Sequence, residues 1–178
     1  MVRNNPILPP LYSGQILDTP LGNLRLAVSS KGLAAVSWIA DELDFHEFLS
    51  KRFKLPVVYI PGQISQAGKE IKKYLKGSLE KFTIPIDWSL LRPFQRQVLQ
   101  ATYAIPYGKT RTYGEIAADL NSPTAARAVG QAQATNPMPL VIPCHRVIGV
   151  NGKLRGYGGG KGLPTKAWLL KLEGVVMT

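Results

Sequence analysis

The sequence predicts an α/β N-terminal domain over residues 1–88, with an antiparallel sheet and helices, and a mainly helical C-terminal domain over residues 89–178. Three observations predict this division. Short apolar runs separated by turn residues occupy 14–39, apolar residues recur at helical spacing between 42 and 76, and strand patterns become scarce after residue 88. With 178 residues, of which 45% are hydrophobic, the chain can bury a real core.

The N-terminal domain is predicted to begin with an antiparallel meander. Glycine and proline in the intervening turns separate its three apolar runs, which lie at 15–18, 24–28 and 33–39. Two amphipathic helices are predicted next, at about 42–53 and 64–76. Phe82–Trp88 alternates between apolar and polar residues, which predicts one more strand, and 87–92 is predicted to link the two domains.

The C-terminal domain is predicted to contain a helix-turn-helix pair. A first helix over 93–104 precedes the pair, and Thr112 and Glu115 then match a capping box at the start of a short helix that ends near Leu120. Ser122 is suited to cap the second helix of the pair, with Pro123 at its first position. Such a pair is typical of DNA-binding proteins, although many helical bundles contain one as well.

The second helix of the pair, predicted over 124–135, is rich in small residues around a single cation, Arg127. Proteins that recognise bases in the major groove present several long polar side chains, and this helix has few. We therefore expect close approach to the DNA backbone or to the minor groove, with little sequence preference. Tight packing of an alanine-rich helix against a neighbour is the alternative.

The charge of the chain favours a polyanionic partner. Lys and Arg number 22 against 11 Asp and Glu, which gives a net charge of +11 and an isoelectric point of about 9.9. Nucleic acid is the leading candidate, and a solvated basic surface without a partner is the alternative.

The N-terminus lacks a signal-peptide pattern and no stretch is apolar enough to span a membrane. We expect a soluble protein of a reducing compartment, with no membrane partner: cytoplasmic, and associated with the nucleoid in a prokaryote, or nuclear in a eukaryote.

Cys144 is the only cysteine in the chain. A single thiol cannot close an intramolecular disulfide or form a multi-thiolate metal site, so Cys144 is either a buried filler or a nucleophile. His145, one of two histidines, and Arg146 follow it directly. Because cationic neighbours favour the thiolate, this context predicts a nucleophile.

At this point an ordered set of segments resembles a known family, the O6-alkylguanine-DNA alkyltransferases. The set comprises Arg127–Gly130, Asn136–Pro139, Ile142–Val147, Gly156–Gly160, and Trp168–Leu170 with Glu173–Gly174. Close similarity covers about residues 90–175. The resemblance implies a ribonuclease-H-like N-terminal domain and a winged-helix-like C-terminal domain.

The resemblance also implies the reaction and the residues that carry it out. The protein would flip O6-alkylguanine, chiefly O6-methylguanine, out of double-stranded DNA and transfer the alkyl group irreversibly to Cys144, once per molecule. His145 would be the base, acting through a water, and Glu173 would orient its imidazole. Tyr113 would donate a proton to the guanine, and Asn136 would join the recognition helix to the active-site loop.

Arg127 would fill the space left by the flipped nucleotide; a phosphate contact is the plainer alternative. The residues expected to contact DNA, beside Tyr113 and Arg127, are Thr124, Ala125, Ala126, Gly130 and Gln131. Those expected to form the base pocket are Pro139, Val147, Tyr157, Gly158, Gly159 and Gly160. Apart from the resemblance, the sequence favours plainer interpretations: Glu173 as a surface charge, Tyr113 as a packing residue, and the glycine run as a flexible loop.

The sequence departs from the family pattern at two places. The segment Lys161–Pro164 is about two residues longer than expected, which affects the lid of the pocket, and Gly158 replaces a hydroxyl residue of some members. Some relatives hold a structural zinc through N-terminal cysteines and histidines. Because His46 is the only such residue in this N-terminal half, we predict no metal and no other cofactor. We expect a monomer in solution that could load cooperatively on DNA.

Two other classes of function compete with repair. A damage sensor of the alkyltransferase-like kind would flip the base without chemistry, but those relatives typically lack the cysteine. A cysteine hydrolase would pair Cys144 with His145, although adjacent residues in a turn rarely point at each other, and the basic helix pair would then be unexplained.

Overall fold

The computed structural model describes residues 8–176 and consists of an N-terminal antiparallel-sheet domain followed by a helical C-terminal region. Three antiparallel strands form the predicted meander: β1 (Leu11–Thr19), β2 (Gly22–Ser29) and β3 (Gly32–Ser37). A fourth, short strand, β4 (Val57–Tyr59), pairs in parallel with β1, so the sheet order is β3-β2-β1-β4.

One helix covers each face of this sheet. Helix α1 (Glu42–Phe53) begins at Asp41, whose side chain accepts from the backbone N–H of Asp44, and it buries Phe45 and Leu49 against small residues of β2 and β3. Helix α2 (Ser65–Leu75) packs on the opposite face, against the leucines of β2. The predicted meander and both predicted helices are therefore confirmed.

Up to residue 176, the helical region contains four α-helices: α3 (Pro93–Tyr103), α4 (Tyr113–Asp119), α5 (Ala126–Ala134) and α6 (Leu163–Leu172). A two-residue parallel pair, β5 (Arg111–Thr112) and β6 (Val147–Ile148), joins the start of α4 to the segment after Cys144. The predicted capping box is present, since Thr112 accepts from the backbone N–H of Glu115 and the Glu115 carboxylate accepts from that of Thr112.

The two halves share their largest core. Ile71, Tyr74 and Leu75 of α2 pack with Leu99 of α3 and with Ile142, two residues before the cysteine. A smaller core holds α3, α4 and α5 together through the residues Val98, Ile105, Ile116, Ala117, Val129, Ala132 and Val147. The active-site segment is thus fixed from both sides by buried apolar contacts.

Two predicted features are wrong. Phe82–Trp88 is not a strand: it makes a single bridge from Ile86 to Leu33, because Pro85 lacks an N–H and the run stops pairing there. The Ser122 side chain makes no capping hydrogen bond, and Pro123 instead begins a one-turn 3-10 helix, Pro123–Ala125, that leads into α5.

Among residues 8–176, no helix is both long and apolar enough to cross a bilayer.

Candidate active site

Cys144 lies at the start of a 3-10 turn, Cys144–Arg146, at the edge of a cavity of about 550 Å³. The residue is only 7% exposed. Its cavity is lined from the helical region by Asn136, Pro139 and the glycines Gly158, Gly159 and Gly160. The thiol is therefore largely enclosed by protein and borders this cavity.

Burial raises the pKa of Cys144 above its ordinary value of 9.0. A hydrogen bond from Asn136, the positive charge of Lys166 and the backbone N–H groups of Cys144 and His145 act in the opposite direction, and they do not outweigh burial. The expectation that the surroundings favour the thiolate is therefore wrong for the protein without its substrate. Cationic neighbours in the sequence do not reveal how completely water is excluded.

His145 is fully buried, and its Nε2 lies 2.8 Å from Oε1 of Glu173. Since a carboxylate only accepts hydrogen bonds, Nε2 carries the proton of the neutral ring. Nδ1 is buried and has no hydrogen-bond partner among the described residues, which leaves its lone pair available. Burial lowers the pKa of His145 below 6.5, against the opposing effect of Glu173, so the ring is neutral near pH 7.

The Glu173 side chain is completely buried and surrounded by donors. Besides His145 and Tyr74, it accepts two hydrogen bonds from Arg146 and one from the backbone N–H of Gly108, at 3.1 Å. Burial opposes its ionisation, but hydrogen bonds from His145, Arg146 and Tyr74 prevail and lower its pKa from 4.5 to about 2. Glu173 is thus a permanent anion behind the imidazole.

Gly108 lies so close to the backbone of Glu173 that a side chain would not fit. Its φ is +70°, and a Cβ atom would lie 2.9 Å from the carbonyl oxygen of Glu173. Gly159 is constrained in the same way on the cavity side, where a Cβ would lie 2.7 Å from the ring of Trp38. These glycines keep the two walls of the site close to the reacting groups.

Lys166 is a buried cation near the thiol. It is 0% exposed, and its Nζ donates to the carbonyl oxygens of Val147, at 2.6 Å, and Arg155, at 3.2 Å. Burial lowers its pKa to about 8, and Cys144 acts to raise it. The ammonium therefore favours the thiolate whenever the thiol loses its proton.

Asn136 connects the end of α5 to the cysteine. Its Nδ2 donates to the carbonyl oxygen of Ile142 at 2.9 Å, its Oδ1 accepts from the backbone N–H of Met138 at 2.9 Å, and the side chain acts to lower the pKa of the nearby thiol. Both ends of the side chain are thus engaged, and a shift of α5 would be transmitted to Cys144.

A second, open groove runs between α4, α5 and the segment 155–158. Tyr113, Arg127, Gly130 and Tyr157 line it, and Arg127 is exposed. Tyr113 and Tyr157 both lie within electrostatic range of Cys144, and burial, followed by this thiol, raises the pKa of each phenol. The groove therefore leads from the surface of α5 to the neighbourhood of the nucleophile.

The predicted base-pocket residues divide among three places. Pro139 and the three glycines line the cavity at Cys144, and Gly158 and Tyr157 line the groove beside Arg127. Val147 lines neither, because its side chain belongs to the small helical core. Its carbonyl oxygen instead binds Lys166.

The predicted DNA-contacting residues surround the N-terminal part of α5. Thr124 and Gln131 are exposed, and Ala126 lines the groove with Arg127 and Gly130. Gln131 lies on a different face of the helix, where it lines a third opening. Ala125 packs against the small helical core.

Sequence reasoning missed several residues of the site. Tyr74 reaches Glu173 from the N-terminal domain, and the cavity at Cys144 is also lined by Trp38, Ile39, Phe48 and Arg52 of that domain. No local pattern marks them, because contact between distant segments brings them there. Lys166 carried no distinct local signal, because the same helix contains a second lysine, Lys171, that is exposed.

His46 and the longer segment 161–164 lie away from the buried network. His46 Nε2 is 2.7 Å from the hydroxyl of Ser13. Within residues 8–176 there is no group of three or more metal-binding side chains. The segment 161–164 leads into α6 through Gly162, whose φ is +73°.

Two family models and several relatives match most of this chain. Residues 12–88 match the family model described as the ribonuclease-like domain of 6-O-methylguanine DNA methyltransferase, and residues 93–175 match that of its DNA-binding domain. A methylated-DNA–protein-cysteine methyltransferase of Mycobacterium bovis is 49% identical over 159 residues, covering 88% of this chain and 89% of the relative. One from Methanosarcina acetivorans is 38% identical over 161 residues, covering 89% and 96%.

Two solved structures share the fold. Mycobacterium tuberculosis OGT in complex with DNA superposes with a TM-score of 0.75 at 39% identity, covering 91% of this chain and 92% of that one. The O6-methylguanine-DNA methyltransferase of Pyrococcus kodakaraensis has a TM-score of 0.70 at 25% identity, covering 93% and 99%. This chain therefore belongs to the 6-O-methylguanine DNA methyltransferase family.

Proposed function

We propose that this protein repairs DNA by transferring the alkyl group of O6-alkylguanine, chiefly methyl, from double-stranded DNA to its own Cys144. The observation that carries the proposal is the combination of a single thiol at the edge of a cavity of about 550 Å³ with a buried histidine–glutamate pair whose histidine directly follows the cysteine. The relatives named as methylated-DNA–protein-cysteine methyltransferases, and the related structure in complex with DNA, support the same reaction and the same partner.

The thiol has to lose its proton during the reaction. An ordinary thiol is only about 3% ionised near neutral pH, and burial reduces that fraction here. Nδ1 of His145 has a free lone pair and is the base that takes the proton, through a bridging water, while Glu173 stabilises the resulting imidazolium. Lys166 and the Asn136 amide stabilise the thiolate.

Sγ of Cys144 then attacks the alkyl carbon. The carbon–O6 bond breaks, its electron pair stays on the guanine, and the phenol of Tyr113 neutralises the developing negative charge by donating a proton. The product is unmodified guanine and a thioether at Cys144. The C–S bond of a thioether is stable and the chain has no other cysteine to accept a second alkyl group, so each molecule reacts once.

The lesion has to leave the base stack to reach the cavity, at a cost of a few kcal/mol. Arg127 stands exposed on α5 at the mouth of the groove that leads toward Cys144, and a long cation there can occupy the space left by the nucleotide. Small residues along the same helix allow close approach to the minor groove. In this proposal, residues 89–178 bind DNA and accept the alkyl group, and residues 1–88 support them.

Intact-mass measurement after incubation with duplex DNA containing one O6-methylguanine tests the proposal. Repair predicts a gain of one methyl per protein molecule, reached at one equivalent of DNA, and no gain for Cys144→Ser. Loss of methyl from more than one equivalent of DNA would contradict it. Tight binding without any mass change would identify a damage sensor instead, and thiol-dependent turnover of an ester substrate would identify a hydrolase.

A further inference from the structure

We infer that Tyr74 is a positioning residue of the alkyl-transfer site, through which the N-terminal domain holds the Glu173–His145 pair and sets the basicity of His145. The inference rests on the proposed function. It gives the N-terminal domain a part in the chemistry beyond mechanical support. Tyr74 lies in the last turn of α2, 71 positions before the histidine that it contacts.

Three polar groups meet at this point. The Tyr74 hydroxyl is 2.6 Å from Oε1 of Glu173 and 3.1 Å from Nε2 of His145, which is itself 2.8 Å from the same Oε1. Tyr74 is 0% exposed, and its ring packs against Phe82 at 5.2 Å and against Tyr107 at 6.3 Å between centroids. The phenol is therefore held in one orientation by its surroundings.

The protons of this triangle can be assigned from the chemistry of its members. A phenol has one proton and a carboxylate has none, so the shortest contact is donation from Tyr74 to Glu173. The Tyr74 oxygen then presents a lone pair to the Nε2–H of His145. This N–H therefore donates a bifurcated hydrogen bond, to Tyr74 and to Glu173. This arrangement keeps the proton on Nε2 and leaves Nδ1 as the basic nitrogen.

Donation from Tyr74 also weakens Oε1 as a partner for a protonated imidazole, because the same oxygen shares its charge with the phenol. Three charged groups face His145. Glu173 favours the imidazolium, and Arg146 and Lys166 disfavour the imidazolium. Cys144 directly precedes His145 in the chain. When the phenol no longer donates to Oε1, more of the negative charge of Glu173 is available to the imidazole ring of His145. Replacing Tyr74 by Phe removes both of its contacts. The donation to Glu173 is the shorter of the two, so its loss determines the direction in which the basicity of His145 changes.

Tyr74→Phe tests the inference, and Tyr107→Phe is the matched control. Tyr107 is a neighbouring tyrosine whose hydroxyl donates to the carbonyl oxygen of Leu172 at 3.1 Å and does not touch the pair. Under single-turnover conditions, Tyr74→Phe is expected to lower the maximal transfer rate by about 10-fold, because Glu173 and His145 lose a contact that holds them in place and this outweighs the higher basicity of the ring. The loss is a fraction of the roughly 10²–10⁴-fold that a general base supplies. The DNA concentration at half-maximal rate is expected to stay unchanged.

A titration of the histidine rings separates this role from a merely structural one. The chain has two histidines, so ¹⁵N-histidine NMR gives two ring systems, and His46→Gln assigns them. In Tyr74→Phe the His145 titration is expected to move to higher pH, while in Tyr107→Phe it stays in place. Replacing Tyr74 with 3-fluorotyrosine, a more acidic phenol of nearly the same shape, is expected to move the titration to lower pH.

These measurements need no DNA, so they separate failure of this inference from failure of the proposed function. If Tyr74→Phe does not fold, the fluorotyrosine protein and the wild-type spectrum still decide the question. A neutral His145 with its proton on Nδ1, or a titration that neither replacement moves, would overturn the inference. A shifted titration in a protein that never gains a methyl group would instead overturn the proposed function and leave the Tyr74 coupling without a role in transfer.

Discussion

The guanidinium of Arg146 donates two hydrogen bonds to Glu173, from Nε to Oε2 at 2.8 Å and from Nη2 to Oε1 at 2.9 Å. Both side chains are buried, and Nη1 of Arg146 also donates to the carbonyl oxygen of Ile105 at 2.6 Å. A buried, bidentate pair of this kind fixes the carboxylate in one orientation. Arg146 thus positions the group that positions His145.

Glu173→Gln is expected to destabilise the protein, because it leaves the buried charge of Arg146 without its counter-ion. Breaking a buried ion pair lowers the free energy of unfolding by about 3–5 kcal/mol. The glutamine amide can keep some of the hydrogen bonds of Glu173, so we expect a value near the lower end of this range. Denaturant unfolding measures the change. Glu47→Gln, which breaks an exposed pair with Lys51 on α1, is the control and is expected to change the free energy of unfolding by less than about 0.5 kcal/mol. Similar values for the two variants would contradict the assigned role of Glu173.

Acid is expected to destabilise the protein in two stages. The pKa of His145 is lowered in the fold, so below pH 6.5 the unfolded chain binds more protons and stability begins to fall. The pKa of Glu173 is lowered from 4.5 to about 2, so its contribution is complete above pH 4.5 and is lost as the pH falls toward 2. Unfolding free energies at pH 7, 5 and 3 test this. Glu173→Gln should lose less stability than wild type between pH 5 and 3, and an equal loss would assign the acid sensitivity to other groups.

The thiol of the free protein is expected to titrate above pH 9.0, because burial raises the pKa of Cys144. Since it is the only cysteine, thiolate absorbance or the pH dependence of iodoacetamide labelling reports on it alone. Near pH 7 the Lys166 ammonium is still charged, since its pKa is about 8, so Lys166→Met should slow labelling at that pH by removing a positive charge that favours the thiolate. Lys161→Met, an exposed lysine in the segment before α6, is the control. A midpoint below 9.0 in wild type would show that the surrounding donors outweigh burial.

Arg127→Ala is expected to slow repair of duplex DNA far more than reaction with a free O6-alkylguanine base, because only the duplex requires a flipped nucleotide. Single-turnover rates on the two substrates measure the difference. Lys31→Ala removes one positive charge from the turn between β2 and β3 and controls for net charge. Equal losses on duplex and free base would exclude the intercalating role and leave a phosphate contact.

Local patterns predicted much of the fold. The capping box at Thr112 and the glycine- and proline-containing turns of the meander work through bonds between residues close in sequence, so their geometry can be read from the chain itself. β4 was not predicted, because three residues are too few for a periodic pattern and its pairing with β1 spans more than forty positions. The segment Phe82–Trp88 was misassigned because alternation alone does not reveal whether a partner strand is present.

The candidate site likewise has features that the sequence predicted and features that it did not. Resemblance to the family pointed to Cys144, His145 and Glu173; the structure pairs His145 with Glu173 and places the preceding residue, Cys144, at the cavity. The raised pKa of the thiol depends on total burial, which no short segment encodes. Tyr74 and Trp38 reach the site from the N-terminal domain only through the shared core, so nothing near them in sequence indicates a functional position.

The most direct test of the account is to locate the transferred methyl group. Wild-type protein is incubated with one equivalent of duplex DNA that carries isotopically labelled O6-methylguanine, then digested and sequenced by tandem mass spectrometry, while the DNA is hydrolysed to nucleosides. The account predicts one label on the sulfur of Cys144 for each unmodified guanine recovered. Label on any other residue, or in free methanol with Cys144 unmodified, would contradict it.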